Sequence, residues 1–548
     1  MSARGARGAG VALVLLLAWL VAYPIGLVLL DAVRDADGWT LAHVREFLAR
    51  PRERGALWGS VWISLATVAG AALVGVPLAW ATSAWAVPGR GALGALLALP
   101  AVLPPLVGVL AFLFLYGETG LAARLVQAAL GLGEPPWRFR GAGAVLLVHV
   151  YSTYVYFLLF TRAALASLDP ALLEAAASLG ASRRRVALRV LLPQLRPALT
   201  GAALLAFMVS LGSFSAPYLF GGSFRVMTTQ IVATRLNGDY ALAMVETVAL
   251  TAVALLALWL FGRLDVAESA PAVGRSGGRL RPRRLRGAAR WAAPAALWLA
   301  ALVAVAPLLC VLLVSFVPLG GWREGILPRG YTLANYATLV ADPVRFRPLL
   351  NSLWMGAAAT AAALALAVAA AVLVVRRRVP ARRAIEALLA LPWAVPGTVF
   401  AIAIATMFSV RAPWTGRWVL VGTALILPFA YVVRILPIVG RAALAGFRRF
   451  DPRLEEAAAS LGAGRWRTLR RVTLPVLAPA LLAGAALAFV GAYGDFVVSI
   501  VLYTYDTRPV TLEILGSLRQ SDIGVAAAYG VVLMAIGGAV MALARADR

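Results

Sequence analysis

About twelve stretches of mostly apolar residues, each roughly 20 residues long or more, follow one another along the chain with short polar connections between them. They lie near 10–30, 58–86, 92–116, 142–162, 198–219 and 241–262 in the first half. In the second half they lie near 292–317, 351–375, 385–409, 418–438, 478–503 and 523–544. Hydrocarbon offers no hydrogen-bond partner to a peptide group, so a chain crossing it must satisfy its own backbone, as a helix does. A helix needs about 20 residues for the crossing. Of the 548 residues, 62% are hydrophobic and 14% charged; a soluble domain is nearer half apolar and about a quarter charged. The expectation is an all-α integral membrane protein with about twelve transmembrane helices. The run from about Gly10 to Leu30 follows Arg4 and Arg7 but is longer than a signal-peptide core and precedes no Ala-x-Ala cleavage site, so it reads as the first span.

The net charge of +27 comes with no lysine: all 51 basic residues are arginine. They gather in alternate loops. One holds Arg183, Arg184, Arg185 and Arg189; the next Arg275, Arg279, Arg281, Arg283, Arg284, Arg286 and Arg290; the next Arg376, Arg377, Arg378, Arg382 and Arg383; the last Arg448, Arg449, Arg465, Arg467, Arg470 and Arg471. The intervening loops, such as 31–57 and 117–141, mix Asp and Glu with Arg. Such alternation follows the positive-inside rule and puts both termini in the cytoplasm. It also accounts for the charge without a nucleic-acid partner. One cysteine, Cys310, excludes a disulfide framework. With only His43 and His149 beside it, no metal site is expected, and His149, flanked by Val148, Val150 and Tyr151, reads as a helix-packing histidine.

The chain repeats itself. Ser60-Val61-Trp62 matches Ser352-Leu353-Trp354, and Leu99-Pro100 with Pro104 matches Leu391-Pro392 with Pro396. Asp169-Pro170 through Gly180 matches Asp451-Pro452 through Gly462. Leu192-Pro193 and Pro197 match Leu474-Pro475 and Pro479, and Gly212-Ser-Phe214 matches Gly494-Asp-Phe496. Six spans per copy is an even number, so the copies are parallel, related by an axis along the membrane normal. The expected organisation is a first repeat over 1–262, an Arg-rich cytoplasmic linker over 263–291 and a second repeat over 292–548.

The repeated cytoplasmic segments, 169–193 and 451–475, are the most informative. Asp169 and Asp451 are suited to cap a helix whose first residue is proline. A short Ala-rich helix follows, ended by Gly180 and Gly462. A second, Arg-rich helix then leads to Pro193 and Pro475 before the next span. This helix–turn–helix presents small side chains and one carboxylate per copy, Glu174 and Glu456, which suits docking rather than catalysis.

Glu174-Ala175-Ala176, Gly180 and Val190-Leu-Leu192-Pro193, with Glu456-Ala457-Ala458, Gly462 and Val472-Thr-Leu474-Pro475, resemble the EAA loop of binding-protein-dependent ABC importer permeases. The similarity covers essentially both halves. It implies the type I ABC importer permease fold in a bacterial plasma (inner) membrane. It also implies that Glu174, Ala175, Ala176, Gly180, Glu456, Ala457, Ala458 and Gly462 couple to two copies of a cytoplasmic ATPase, with an extracytoplasmic solute-binding protein docking on the other face. ATP would be bound by those partner subunits: a P-loop needs a lysine, which this chain lacks. No catalytic residue, cofactor or metal is expected in the chain itself.

Polar residues inside spans mark a candidate translocation path: Ser213 and Phe214, with Ser210 and Ser215 nearby, then Tyr493, Asp495 and Phe496, with Ser499, and Glu246 in the sixth span. Intramembrane ionisable groups are costly and face a cavity or a partner, which singles out Asp495. The fused twelve-span layout resembles ferric iron permeases and their thiamine relatives, and Gly212–Gly222 and Gly494–Ser499 are similar to polyamine and phosphonate permeases. Ferric iron is the substrate expected from that layout. A major-facilitator-type secondary transporter also has two parallel six-span halves but would not carry an EAA loop in each. A membrane enzyme would need convergent acid, base or metal groups, which are not seen.

Overall fold

The computed structural model describes residues 3–35, 37–266, 282–322 and 325–546. Apart from a two-residue ribbon pairing Arg34–Asp35 with Gly38–Trp39, the described residues form helices and loops. Eleven helices are long and apolar enough to cross a membrane, or twelve when one sharply bent pair is counted as a span. Most fall where the apolar runs place them; span 10 is shifted, beginning at Ile426 rather than 418 and running to Arg449 rather than 438. Spans 1 and 2 are Arg4–Asp31 and Pro51–Ala84, and spans 4, 5 and 6 are Ala142–Ser167, Arg184–Leu211 and Tyr240–Arg263. In the second half, spans 7 and 8 are Ala289–Val314 and Pro343–Arg376, and spans 10, 11 and 12 are Ile426–Arg449, Trp466–Tyr493 and Ile523–Ala544.

The third span of each half departs from the expected straight helix. In place of 92–116 there is a short apolar helix, Arg90–Ala101, followed by Pro105–Leu130. In place of 385–409 there are Arg382–Trp393 and Gly397–Met407, bent by 107°. The repeated prolines explain this. Pro100 and Pro392 each follow a leucine in a tight turn, and Pro104 and Pro396 sit in extended backbone just before the second helix. A proline supplies no N–H, and its ring pushes the preceding residue toward extended backbone, as at Leu103 (φ −75°, ψ 133°) before Pro104.

The fifth span also differs. Its helix begins at Arg184, well before the expected 198, and stops at Leu211 rather than 219. The Arg-rich segment is thus continuous with the span and is not a separate helix on the membrane; span 11 behaves alike, starting at Trp466. At Ala187–Leu191 and Leu469–Thr473 the turn widens to π geometry immediately before Leu192-Pro193 and Leu474-Pro475. A wide turn absorbs the missing N–H and ring bulk of the proline without breaking the helix.

The halves share internal hydrogen bonds as well as helices. The Met227 N–H donates to Ser60 Oγ at 2.7 Å, and the Val510 N–H to Ser352 Oγ at 2.9 Å. These serines belong to the repeated Ser-x-Trp motif, so that motif has a structural reason: it ties span 2 or 8 to a helix following span 5 or 11. The Thr228 hydroxyl donates to the Ser213 carbonyl, and the Thr511 hydroxyl to the Asp495 carbonyl, both at 2.7 Å.

The first span of each half packs against the broken third span of the other half. On one side, the Trp19 ring meets Phe408 and Phe429 edge-on with centroids 6.2 and 5.9 Å away. On the other, the Tyr151 hydroxyl donates to the Ala304 carbonyl at 2.8 Å, and Trp298 Nε1 to the Pro88 carbonyl at 3.3 Å. The linker rejoins the first half where Arg283 exchanges backbone hydrogen bonds with Ala84 and Ala86. Its Arg275, Arg279 and Arg281 lie outside the described residues.

Candidate functional site

Two places follow from this architecture: a pair of projecting helices on one face and a close contact between the halves. The projecting helices are Pro170–Ser178 and Arg453–Ser460. Asp169 accepts the Ala171 N–H, and Asp451 Oδ1 the Arg453 N–H at 3.0 Å, so both aspartates cap their helices. Both ends are Schellman turns. The Gly180 and Ala181 N–H groups reach the carbonyls of Ala177 and Ala176; those of Gly462 and Ala463 reach Ala459 and Ala458. Gly180 has φ +77° and Gly462 φ +76°, a region where only glycine is unstrained.

Glu174, Ala175, Glu456 and Ala457 are exposed on these helices, while Ala176 is half-buried and Ala458 buried. The turn projects one further pair that motif reading passed over, Leu179 and Leu461, which are 87% and 88% exposed. Their signal was a matched leucine before each glycine. An apolar side chain held this far out contributes about 2 kcal/mol when a partner buries it. The second helix is also braced, since Arg376 and the Thr473 hydroxyl both hold Glu455, at 2.9 and 2.6 Å.

That contact lies where spans 5 and 11 end. Gly212 is placed so that a side chain there would touch Pro396 of the other half; Gly494 faces Pro104 in the same way, at 2.8 Å from an added Cβ. Each post-span glycine therefore lies against the proline break of the opposite half. Just beyond, Phe214 and Phe496, both buried, face each other with centroids 5.8 Å apart, and Tyr218 stacks on Phe214 at 5.2 Å. The structure thus brings together Phe214 and Phe496 from opposite halves as an aromatic closure.

The polar groups behind this closure differ between halves. In the first, His149 lies between Ser213 and Ser210, its Nε2 2.8 Å from Ser213 Oγ and its Nδ1 2.9 Å from Ser210 Oγ; the Ser210 hydroxyl donates to Thr67 at 3.2 Å. His149 does pack between helices, as its apolar neighbours indicate. In the second half Tyr431 and Asp495 stand at the positions matching His149 and Ser213, and Asp495 brings a charge. Arg434 Nε donates to Asp495 Oδ2 at 2.7 Å. Asp495 Oδ1 accepts the Val498 and Ser499 N–H groups, and the Tyr431 and Ser499 hydroxyls are 2.7 Å apart. Asp495 is buried and its oxygens are engaged, whereas the Arg434 side chain is 37% exposed. Sequence reading singled out the acid and missed its arginine, although an arginine inside an apolar run is the same kind of signal. Gly397 belongs to this arrangement, since any Cβ there would run into the Arg434 guanidinium.

Tyr493 is buried with its ring stacked on Phe489 at 5.6 Å, one turn behind Phe496. Glu246 lies elsewhere: its polar contacts are Glu53, Thr234 and Gln230, all in the first half. Glu53, which the sequence placed in a loop, is buried in the first turn of span 2. Among the described residues, no group of three or more His, Cys, Asp or Glu side chains is placed to hold a metal ion.

Replacing Asp495 with Ala removes the counter-charge of Arg434 and the cap of Ser499–Leu502. The expected cost is about 2 kcal/mol, below the ~3–5 kcal/mol of a fully buried pair because Arg434 is partly solvated. Transport should slow while ATPase binding is unchanged. Thermal unfolding in detergent and uptake kinetics read the two effects; unaltered kinetics would remove Asp495 from the path.

Comparison with known proteins identifies the family. The family described as "Binding-protein-dependent transport system inner membrane component" matches residues 71–265 and again 360–546. A probable ABC transporter permease protein, y4fN, of Sinorhizobium fredii is 31% identical over 507 residues, 91% of this chain and 89% of that protein. The ferric transport system permease protein FbpB of Actinobacillus pleuropneumoniae is 29% identical over 454 residues, 80% of this chain and 63% of that protein. The sulfate transport system permease protein CysT of Escherichia coli is 33% identical over 172 residues, 30% of this chain and 62% of that protein. With both halves matched, the chain belongs to the binding-protein-dependent transport system inner membrane components: it is a multi-pass ABC importer permease, a non-catalytic membrane subunit that works with an ATPase and a binding protein.

Proposed function

We propose that this permease carries ferric iron, received from a solute-binding protein on the face opposite the projecting helices. Two copies of an ATPase subunit seat on Glu174–Gly180 and Glu456–Gly462 and bind the ATP, the chain itself holding no cofactor. That face, with both termini, is the cytoplasmic one, a reading supported by the arginine-rich loops and the positive-inside rule. Closure of the two ATPases moves the projecting helices, and spans 5 and 11, continuous with the Arg-rich segments after them, carry that movement to the Phe214–Phe496 closure. The observation that supports iron is the extended similarity to a ferric transport permease. A second reading, a sulfate-like oxyanion, is favoured by the shorter similarity to a sulfate permease.

Uptake of radiolabelled ferric iron, measured in cells lacking the chain and in cells with it restored, tests the reading. Loss and rescue, both abolished by ATP depletion, are expected. Unchanged iron uptake would remove iron, and labelled sulfate would be tried next in the same strain.

A further inference from the structure

Span 10, Ile426–Arg449, carries Arg434, Arg441 and Arg448 at intervals of seven residues. Seven residues is nearly two full helical turns, so the three lie in one row, about 10 Å apart along the axis. All three face the broken span 9. The Arg434 guanidinium lies against Gly397, Arg441 sits 4.1 Å over the Trp393 ring, and Arg448 donates to Glu386 at 2.7 Å. The row runs from the aromatic closure to the face that bears the projecting helices.

Two of these charges are balanced, Arg434 by Asp495 and Arg448 by Glu386. Arg441 has no acidic partner within ion-pair distance among the described residues, and it is exposed. It lies about 12 Å from the nearer end of its helix, and Arg434 about as far from the other. Span 10 is the most enclosed of the crossing helices, with 72% of its apolar window buried. A charge so placed faces a cavity or a ligand rather than lipid. At the matching positions of span 4 stand Ser152, Leu159 and Ala166, all uncharged, so the row is not demanded by the fold.

We propose that this row is an anion track: the solute passes the second half as an anion and is held at Arg441 on its way from the closure. The inference rests on the importer reading and narrows its substrate to oxyanion chemistry. The occupant is either a free oxyanion or a metal ion whose oxygen ligands leave the complex negative; a bare ferric cation would be repelled at Arg441, the one charge of the row without an acidic partner among the described residues.

The test uses the full chain in lipid nanodiscs, with labelled ferric citrate and labelled sulfate as separate probes. Arg441→Met keeps an unbranched stem beneath the Trp393 ring and removes the charge; size exclusion and thermal unfolding confirm that it folds. Arg441→Lys restores the charge. The wild type is expected to bind one of the probes, with binding weakened by salt, about tenfold weaker in Arg441→Met and recovered in part by Arg441→Lys. Ferric citrate as that probe upholds the track together with the iron reading. Sulfate as that probe upholds the track and, with unchanged iron uptake in cells, removes iron. No binding of either probe, or binding and uptake that Arg441→Met leaves unchanged, overturns the track, while iron uptake rescued by the chain would still stand.

Discussion

Gly180→Pro combined with Gly462→Pro abolishes uptake and leaves the chain in the membrane. Both glycines have φ near +77°, which proline, locked at about −65°, cannot adopt. Both also donate their N–H to a carbonyl of the preceding helix, and proline has none to give. The Schellman turns are therefore lost at both places, and with them the positions of Leu179 and Leu461. No Cβ at either glycine would meet another atom, so the damage is local to the turns and does not propagate into the spans. The measurement is uptake, with membrane fractionation and co-purification of the ATPase alongside. Normal uptake by the double variant would mean that these helices are not the coupling elements. Gly180→Ala with Gly462→Ala is the graded control: a left-handed alanine costs about 1–2 kcal/mol, so partial coupling should survive.

The second large effect is expected at the closure. Phe214 and Phe496 are the groups that meet across the two halves, and each is buried. Replacing both with alanine should let a small solute leak from proteoliposomes without ATP, because of the three rings that meet there only Tyr218 remains. Each truncation of a buried phenylalanine also costs about 3–5 kcal/mol of stability, so the pair Phe214→Leu and Phe496→Leu, which loses less volume, is measured beside it. Vesicles that stay sealed around folded alanine protein would show that the rings pack the halves without closing the path.

Much of this was legible in the residues. Hydrophobic run length determined the spans, because the cost of burying an unpaired peptide group in hydrocarbon leaves a long apolar run little choice but a helix. The duplicated Glu-Ala-Ala and glycine segments determined the projecting helices, since capping and the left-handed turn are local matters decided within a few residues. The proline repeats at Pro100, Pro104, Pro392 and Pro396 are visible too, but run length places them inside single spans, 92–116 and 385–409, whereas the spaced pairs of prolines interrupt each one.

What tertiary structure alone decided is who faces whom. Asp495 was singled out from sequence, yet its partner, Arg434, lies on another helix, and which of the two remains accessible depends on packing that sequence spacing does not encode. Glu246 looked equivalent to Asp495 as a carboxyl inside a span; the fold places it against Glu53 within the first half. The crossing of spans 1 and 7 onto the opposite half, the meeting of Gly212 with Pro396, and the row of arginines turned toward span 9 follow from helix contacts far apart in the chain. A helix's own residues determine that it forms and which stripe is apolar. Its rotation and neighbours are set by how small residues and proline breaks allow the backbones of distant segments to approach.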